Sequence, residues 1–360
     1  MRFPEFTDEW TETNIGSILS IGNGKDYKDL GDGNIPVFGT GGYMTSVNDY
    51  LMDGESVFIG RKGTINKPSY YKGKFWTVDT LFYTHEFIGA VPRFVLYLFE
   101  NIDWLKYNEA SGVPSLSKST IEKIKINIPK TIEQKKISAF ISLLDRRIEV
   151  QSELINKLES LISGITLSIV KSNNCESIHL SELLTERNEV NTAQYEVYSV
   201  SVSQGVVNQV DYLGRSFAAK DTSNYNVVHY GDIVYTKSPT GDFPYGIVKR
   251  SGQTDPVAVS PLYGVYKPAS NEIGCFLHYY FCNPVSAKNY LNKLIQKGAK
   301  NTINITNQRF LENTIKLPNT ERLAIVVKLL NQLSVKKQRA EELLALYRKQ
   351  KQYLLSQMFI

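Results

Sequence analysis

The sequence predicts an α+β protein in which two pseudo-repeated α/β domains are separated by two long antiparallel coiled-coil helices, and three observations carry that reading. A short stretch is written twice: KSTIEKIKINIPKTIEQKK at 118–136 returns as NQRFLENTIKLPNTERLA at 307–324, an offset of 189 residues. Each copy runs into an apolar stripe at heptad spacing. Each is preceded by strand, Gly turn, strand and aromatic helix, an order that gives an α+β domain.

The first globular part is expected over residues 1–129 and the second over 172–318. In the first, LMDGESVF at 51–58 reads as a Gly-acid turn entering a strand, and YGDIVY at 230–235 is its counterpart in the second. Aromatic helices follow, PRFVLYLFENIDWL and CFLHYYFCNPVSAKNYL, then a polar loop and the echoed strand. Ile126 and Ile128, like Ile315 and Leu317, alternate as the inward side of a short strand. Pro129 and Pro318 stop it, because proline cannot donate into a ladder.

Helices are expected at 130–171 and 319–360. Thr131 with Gln134 forms a capping-box pattern, and Thr320 supplies half of one, Leu323 standing where the reciprocal amide would be. In the first helix the seam is Ile137, Ile141, Leu144, Ile148, Gln151, Ile155, Leu158, Ile162, Ile165 and Ile169. In the second it is Val326, Leu330, Leu333, Lys337, Ala340, Leu344, Tyr347, Lys351, Leu354 and Met358, with Lys337 and Lys351 expected to turn outward to a partner or to phosphates. At about 1.5 Å per residue each helix is roughly 55 to 60 Å long, beyond the reach of one small domain. Packing the stripes on each other buries both; packing each on its own domain is the competing arrangement.

Composition bounds the function. The chain has 360 residues, 42% hydrophobic and 21% charged, so disordered and fibrous classes are excluded. Cys175, Cys275 and Cys282, an odd and irregular set, argue against a disulfide framework and fit a cytoplasmic location. MRFPEFTDEW lacks the basic and apolar regions of a signal peptide, and no run is long enough to span a membrane. His85, His179, His229 and His278 match no zinc spacing, so no metal site is expected. FGTGGY lacks the dinucleotide frame, the glycines at 22, 24, 31 and 33 read as a flexible turn, and no phosphate loop or nuclease cluster is present. The sequence reads as a binder without catalysis of its own.

Net charge is +5, yet by segment it is −3, +2, +1 and +5, so the surplus lies in the last helix. Local clusters point to nucleic acid instead. Between Ser56 and Val78 no acid occurs, while Arg61, Lys62, Thr64, Lys67, Tyr70, Lys72 and Lys74 fall there, near the loop Gly39, Thr40, Gly41, Gly42 and Tyr43. Lys237, Ser238, Thr240, Lys249 and Arg250 group around TKSPTGDFPYG, and Lys297, Lys300 and Asn301 lie in a second acid-free stretch. Such groups can anchor phosphates and read base edges. A solvated face would give any single cluster the same composition; their occurrence in both globular parts favours nucleic acid.

The start FPEFTDEWTETNIGSI, the helix openings TIEQKKI and TERLAI, and the helix ends LESLISGITLSIV and LYRKQKQYLLSQMF are similar to those of the specificity subunit of type I restriction-modification systems. That resemblance implies two target recognition domains, 1–129 and 172–318, each reading half of a bipartite asymmetric site in double-stranded DNA. It implies helices that set the spacer and dock two methyltransferase subunits, joined in some complexes by two restriction subunits. S-adenosylmethionine, ATP and Mg2+ would belong to those partners, with no cofactor in this chain. The alternative is a coiled-coil adaptor that bridges proteins without reading DNA.

Overall fold

A computed structural model describes residues 2–215, 218–297 and 303–359. The chain divides into two compact units, Met1–Ser152 with Glu342–Ile360, and Glu153–Glu341. Each long helix, Thr131–Lys171 and Thr320–Met358, gives one segment to each unit.

In the first unit the echoed strand Lys125–Ile128 pairs antiparallel with Thr11–Asn14. The helix Ile15–Ile18 leads from that clasp into a six-stranded sheet. Its order is Ser20–Asn23, Leu81–His85, Met52–Gly60, Ser69–Thr77, Asp32–Gly39, Gly42–Val47, antiparallel except where Asp32–Gly39 runs parallel to Ser69–Thr77. Of the glycines read as a flexible turn, Gly22 and Gly33 lie within strands Ser20–Asn23 and Asp32–Gly39, and Gly24 and Gly31 in the connection between them. A Cβ on Gly24 would lie 1.9 Å from the Val78 carbonyl oxygen and one on Gly33 would lie 2.2 Å from that of Val47, so both permit close backbone approach. Helix Pro92–Asn101 is buried from Phe94 through Phe99, lying between the sheet and the long helices, where Phe94 meets Phe359 and Tyr97 reaches Asp145.

The second unit repeats the plan. Thr314–Leu317 pairs antiparallel with Glu176–His179, and the helix Leu180–Leu183 leads into a four-stranded sheet. Its order, Leu184–Glu186, Gly264–Pro268, Ile233–Thr236, Ile247–Arg250, reproduces the first four places of the larger sheet. Helix Asn271–Cys282 covers it as Pro92–Asn101 covers the other, and Pro284–Asn292 follows. The LMDGESVF and YGDIVY segments thus fall on the same strand of the shared order, and the polar residues before each echo do the same job. Ser117 accepts from Thr120 N–H and Thr306 from Arg309 N–H, capping short helices just before each clasp strand.

The long helices run antiparallel within each unit and take part in its core. In the first, Ile137, Ile141 and Leu144 pack with Leu354, Leu355, Met358 and Phe359. Asp145 pairs with Lys351 and Arg147 lies over the ring of Tyr347, so the numbering falls along one helix as it rises along the other. In the second, Ile162, Ile165 and Ile169 join Leu323, Val327 and Leu330. Ile155, Leu158 and Leu344 are buried as well, while Ile148, Leu333 and Tyr347 are half-buried.

Two details differ from the sequence reading. Thr131 and Thr320 are the first helical residues rather than caps. Asn319 caps the second helix, its Oδ1 accepting from Arg322 N–H at 3.0 Å. Gln134 does not turn back to Thr131; fully buried, it donates to the carbonyls of Gly89 and Pro129 and accepts from Val91 N–H, tying the helix start to the loop before Pro92–Asn101. The other difference concerns the seam lysines. Lys337 reaches Glu159 at 2.8 Å and Glu341 at 3.2 Å, and Lys351 reaches both Glu100 and Asp145 at 2.7 Å. A cation held in an apolar seam requires an anion within reach, and carboxylates on neighbouring elements supply it. Neither lysine turns outward.

Candidate nucleic-acid interface

The first unit gathers part of its basic cluster by backbone pairing. Strand Met52–Gly60 ends in the loop Arg61, Lys62, Gly63, Thr64. Arg61 and Lys62 N–H both donate to Thr80 O, at 2.8 and 3.3 Å, Gly63 N–H donates to Pro114 O, and Leu116 N–H returns to Arg61 O. The polar loop before the echo is therefore woven into the Arg61 loop, a partnership that no local pattern announces. Gly63 has φ +87°, and a Cβ there would lie 3.8 Å from Thr40 Oγ1, which brings in the hairpin turn at Gly39–Gly42. Gly42, at φ +103°, makes that turn possible without strain.

Side chains at this junction are presented rather than packed away. Lys62 and Lys67 are exposed, Thr40 and Thr64 half-buried, and Tyr43 stands out with 64% of its surface free. The Arg61 guanidinium rests over the Phe82 ring and donates to Asp79 O at 3.4 Å, which fixes its stem and leaves donors free. Thr40 and the Arg61–Thr64 loop thus meet at Gly63, bringing hydroxyls and cations around two glycine turns, with Tyr43 exposed on the hairpin itself.

Tyr70, Lys72 and Lys74 leave that surface. They alternate along Ser69–Thr77 on one face, where Glu55 accepts from Tyr70 and pairs with Lys72 at 3.9 Å. Arg93 stacks on Tyr70 at 4.0 Å, and Lys74 lies 4.6 Å from the Tyr50 ring centroid. Burial, with the Glu55 carboxylate beside it, raises the Tyr70 hydroxyl to about 12, so it stays a neutral donor. Arg93 was not among the sequence candidates, because a single arginine opening an apolar helix carries no local signal.

In the second unit the cluster drawn around TKSPTGDFPYG separates. Thr236 pairs with Ile247 across the strands, so the loop 237–246 sits at one end of this hairpin and Lys249 and Arg250 at the other. Ser238 and Thr240 are exposed, and Lys237 is half-buried, burial holding its ammonium below the usual lysine range. Lys249 is a correction: only 5% exposed, it turns inward to donate to Cys282 Sγ at 3.2 Å and meets no solvent-side ligand. Arg250 is held at the Tyr230 ring and at Asn271 Oδ1, 2.8 Å away. Lys297 lies in the two-residue strand Gln296–Lys297, paired with Ile303–Asn304. Lys300 and Asn301 fall outside the described residues.

Among the described residues no group of three or more His, Cys, Asp or Glu is placed to hold a metal, and no helix is long and apolar enough to cross a membrane. Both long helices also carry exposed apolar side chains. Ile132, Leu143 and Val150 with Leu346 and Tyr353 stand free in the first unit, and Leu161, Ile325 and Leu329 in the second.

Residues 7–160 match the family model of the type I restriction modification DNA specificity domain. No curated protein matches the sequence. Among solved structures, the S subunit of a type I restriction-modification system from M. genitalium superposes with a TM-score of 0.65 at 13% identity, over 100% of this chain and 99% of that one. A chain from a study of complex assembly and conformational transition of the type I restriction-modification system gives a TM-score of 0.51 at 12% identity, over 98% of each. The clasped, repeated sheet units and paired helices are therefore the fold of a specificity subunit from end to end, and residues 7–160 belong to the type I restriction-modification DNA specificity domain family.

Proposed function

We propose that this chain is the DNA-reading specificity subunit of a type I restriction-modification complex, each unit's sheet domain addressing one half of a bipartite, asymmetric site. The observation that carries the reading is the duplicated unit: the same clasp strand, the same four-strand order and the same covering helix occur twice, and the family model falls on the first copy. Duplicated heads suit a two-part site. In the first, Thr40, Tyr43, Arg61, Lys62 and Thr64 are the readers and phosphate anchors; in the second, Lys237, Ser238 and Thr240 on the loop 237–246 take that part.

The chemistry belongs to partners. The outward apolar residues of the helices, such as Leu143, Val150, Leu346 and Ile325, are the docking surface for methyltransferase subunits, since exposed apolar patches of this kind mark interaction sites. S-adenosylmethionine, ATP and Mg2+ are assigned to those subunits and to restriction subunits, and the chain works in the cytoplasm.

The experiment is methylation mapping by a complex reconstituted with the methyltransferase subunit. The intact chain is expected to direct methylation to a two-part motif. Arg61→Ala is expected to relax or abolish recognition of one half, at about 1–3 kcal/mol for a lost base contact, which is roughly 5- to 150-fold in binding. Unchanged specificity and rate in that variant would sink the assignment of Arg61. A chain that assembles with methyltransferase yet never binds duplex DNA would favour an adaptor.

A further inference from the structure

The second unit holds a cluster that DNA reading does not use. Lys249 is 95% withdrawn from solvent, and no carboxylate pairs with its ammonium among the described residues. Its hydrogen-bond partner is Cys282 Sγ, at 3.2 Å. A buried ammonium needs an anion, and the group in reach that can become one is that thiol. His278, one turn back on helix Asn271–Cys282, completes the arrangement. The backbone N–H of Arg250 donates to its Nδ1 at 3.3 Å, so Nδ1 is the acceptor and Nε2 carries the proton. That Nε2 stands 3.6 Å from Sγ and offers the sulfur a second donor.

We propose that Cys282, Lys249 and His278 form a reactive-thiolate site that reduces peroxides at the expense of its own sulfur. Cys282 is the last residue of its helix, where free carbonyls oppose negative charge, so the lysine and the imidazole N–H are what hold the thiolate. Burial pushes the thiol up, and the donors His278 and Lys249 pull it down, below the ordinary thiol range. Cys282 is half-buried as a residue, as is Cys175. In the reaction the sulfur attacks one peroxide oxygen. The S–O bond forms as the O–O bond breaks, sulfur is oxidised and peroxide reduced, and the departing hydroxide takes a proton from Lys249 and leaves as water. A sulfenic acid then faces a neutral amine, and the pocket carries no net charge.

The other cysteines are internal controls. Cys175, also half-buried, donates to Ile169 O at 3.1 Å, and Cys275 is buried beside Asn271. The full chain is treated with hydrogen peroxide, sulfenic acid is trapped with dimedone, and peptides are quantified by mass spectrometry. Cys282 is expected to be labelled about tenfold or more over Cys175 and Cys275, as its thiolate fraction near neutral pH dictates. Equal or greater labelling at Cys175 overturns the proposal. Lys249→Met, which keeps the bulk and removes the charge, is expected to slow oxidation of Cys282 about tenfold while Cys175 is unchanged; an unchanged Cys282 rate also overturns it. Where that variant does not fold, the pH profile of iodoacetamide alkylation on the intact chain decides. Cys282 must hold its rate to a lower pH than Cys175 does; parallel profiles refute the site.

Discussion

Replacing Lys351 with methionine removes a cation from the seam of the first unit while nearly preserving the volume of its stem. The Lys351 ammonium lies 2.7 Å from both Glu100 and Asp145 and 5.3 Å from the ring centroid of Tyr97, whose hydroxyl donates to Asp145 at 2.7 Å. Without it two carboxylates share a poorly solvated site with no counter-charge. Breaking a fully buried pair costs about 3–5 kcal/mol, and these side chains keep 16% to 30% of their surface, so about 2 kcal/mol is the appropriate figure. For a unit of this size that lowers the midpoint by roughly 4–8 °C.

The assay is thermal unfolding followed by tryptophan fluorescence, because Trp10, Trp76 and Trp104, all the tryptophans of the chain, lie in the first unit. The loss is expected to depend on pH. Burial raises Glu100 above the usual carboxylate range, with Lys351 pulling the other way. A carboxyl raised in the folded state costs stability as pH climbs through the interval from its unfolded value to its folded one, and is relieved below it. Removing Lys351 raises Glu100 further, so the variant is most destabilised near pH 8 and recovers toward pH 5. A midpoint equal to that of the parent at pH 8, or a deeper loss at pH 5, would refute the reasoning.

Other outcomes follow from the same contacts. Asn319→Ala is expected to cost about 1 kcal/mol through the lost cap, whereas Thr320→Ala costs a few tenths, and denaturant midpoints separate the two. Arg2→Ala leaves Glu133, 2% exposed, without its bidentate partner at 2.8 Å, and is expected to lower the midpoint of the fluorescence melt of the first unit; an unchanged midpoint would count against the role of this pair. Lys337→Met is expected to cost only about 1 kcal/mol, since its partners Glu159 and Glu341 remain about half-exposed and can be hydrated, and an equal loss to Lys351→Met would show that exposure does not set the difference.

Much of the fold was legible because it rests on period. Ile137, Ile141, Leu144, Leu330 and Leu354 could be placed on a seam from spacings of three and four alone, and they are buried. The echo marked the clasp strands for the same reason: alternation ending at a proline is local. The binding surface was legible only in outline. Arg61, Lys62 and Lys249 have the same standing in the sequence, as cations in acid-poor stretches, yet two are presented to solvent and one is interred. Nothing within a few residues of Lys249 states that Cys282 and His278 will stand opposite.

By itself the sequence determined what burial period and turn chemistry determine: two rods, two α+β units and the strand at which each unit hands over to its helix. Tertiary structure alone decided the partners: Asn319 rather than Thr320 as cap, Glu100 and Asp145 as the anions of Lys351, Thr80 and Leu116 as the backbone frame of Arg61, and the thiol that faces Lys249. The physical reason is that the side-chain periods of helix and strand are properties of the backbone and are read locally. A polar group's partner is whichever residue the folded register carries within about 3 Å, at any distance along the chain.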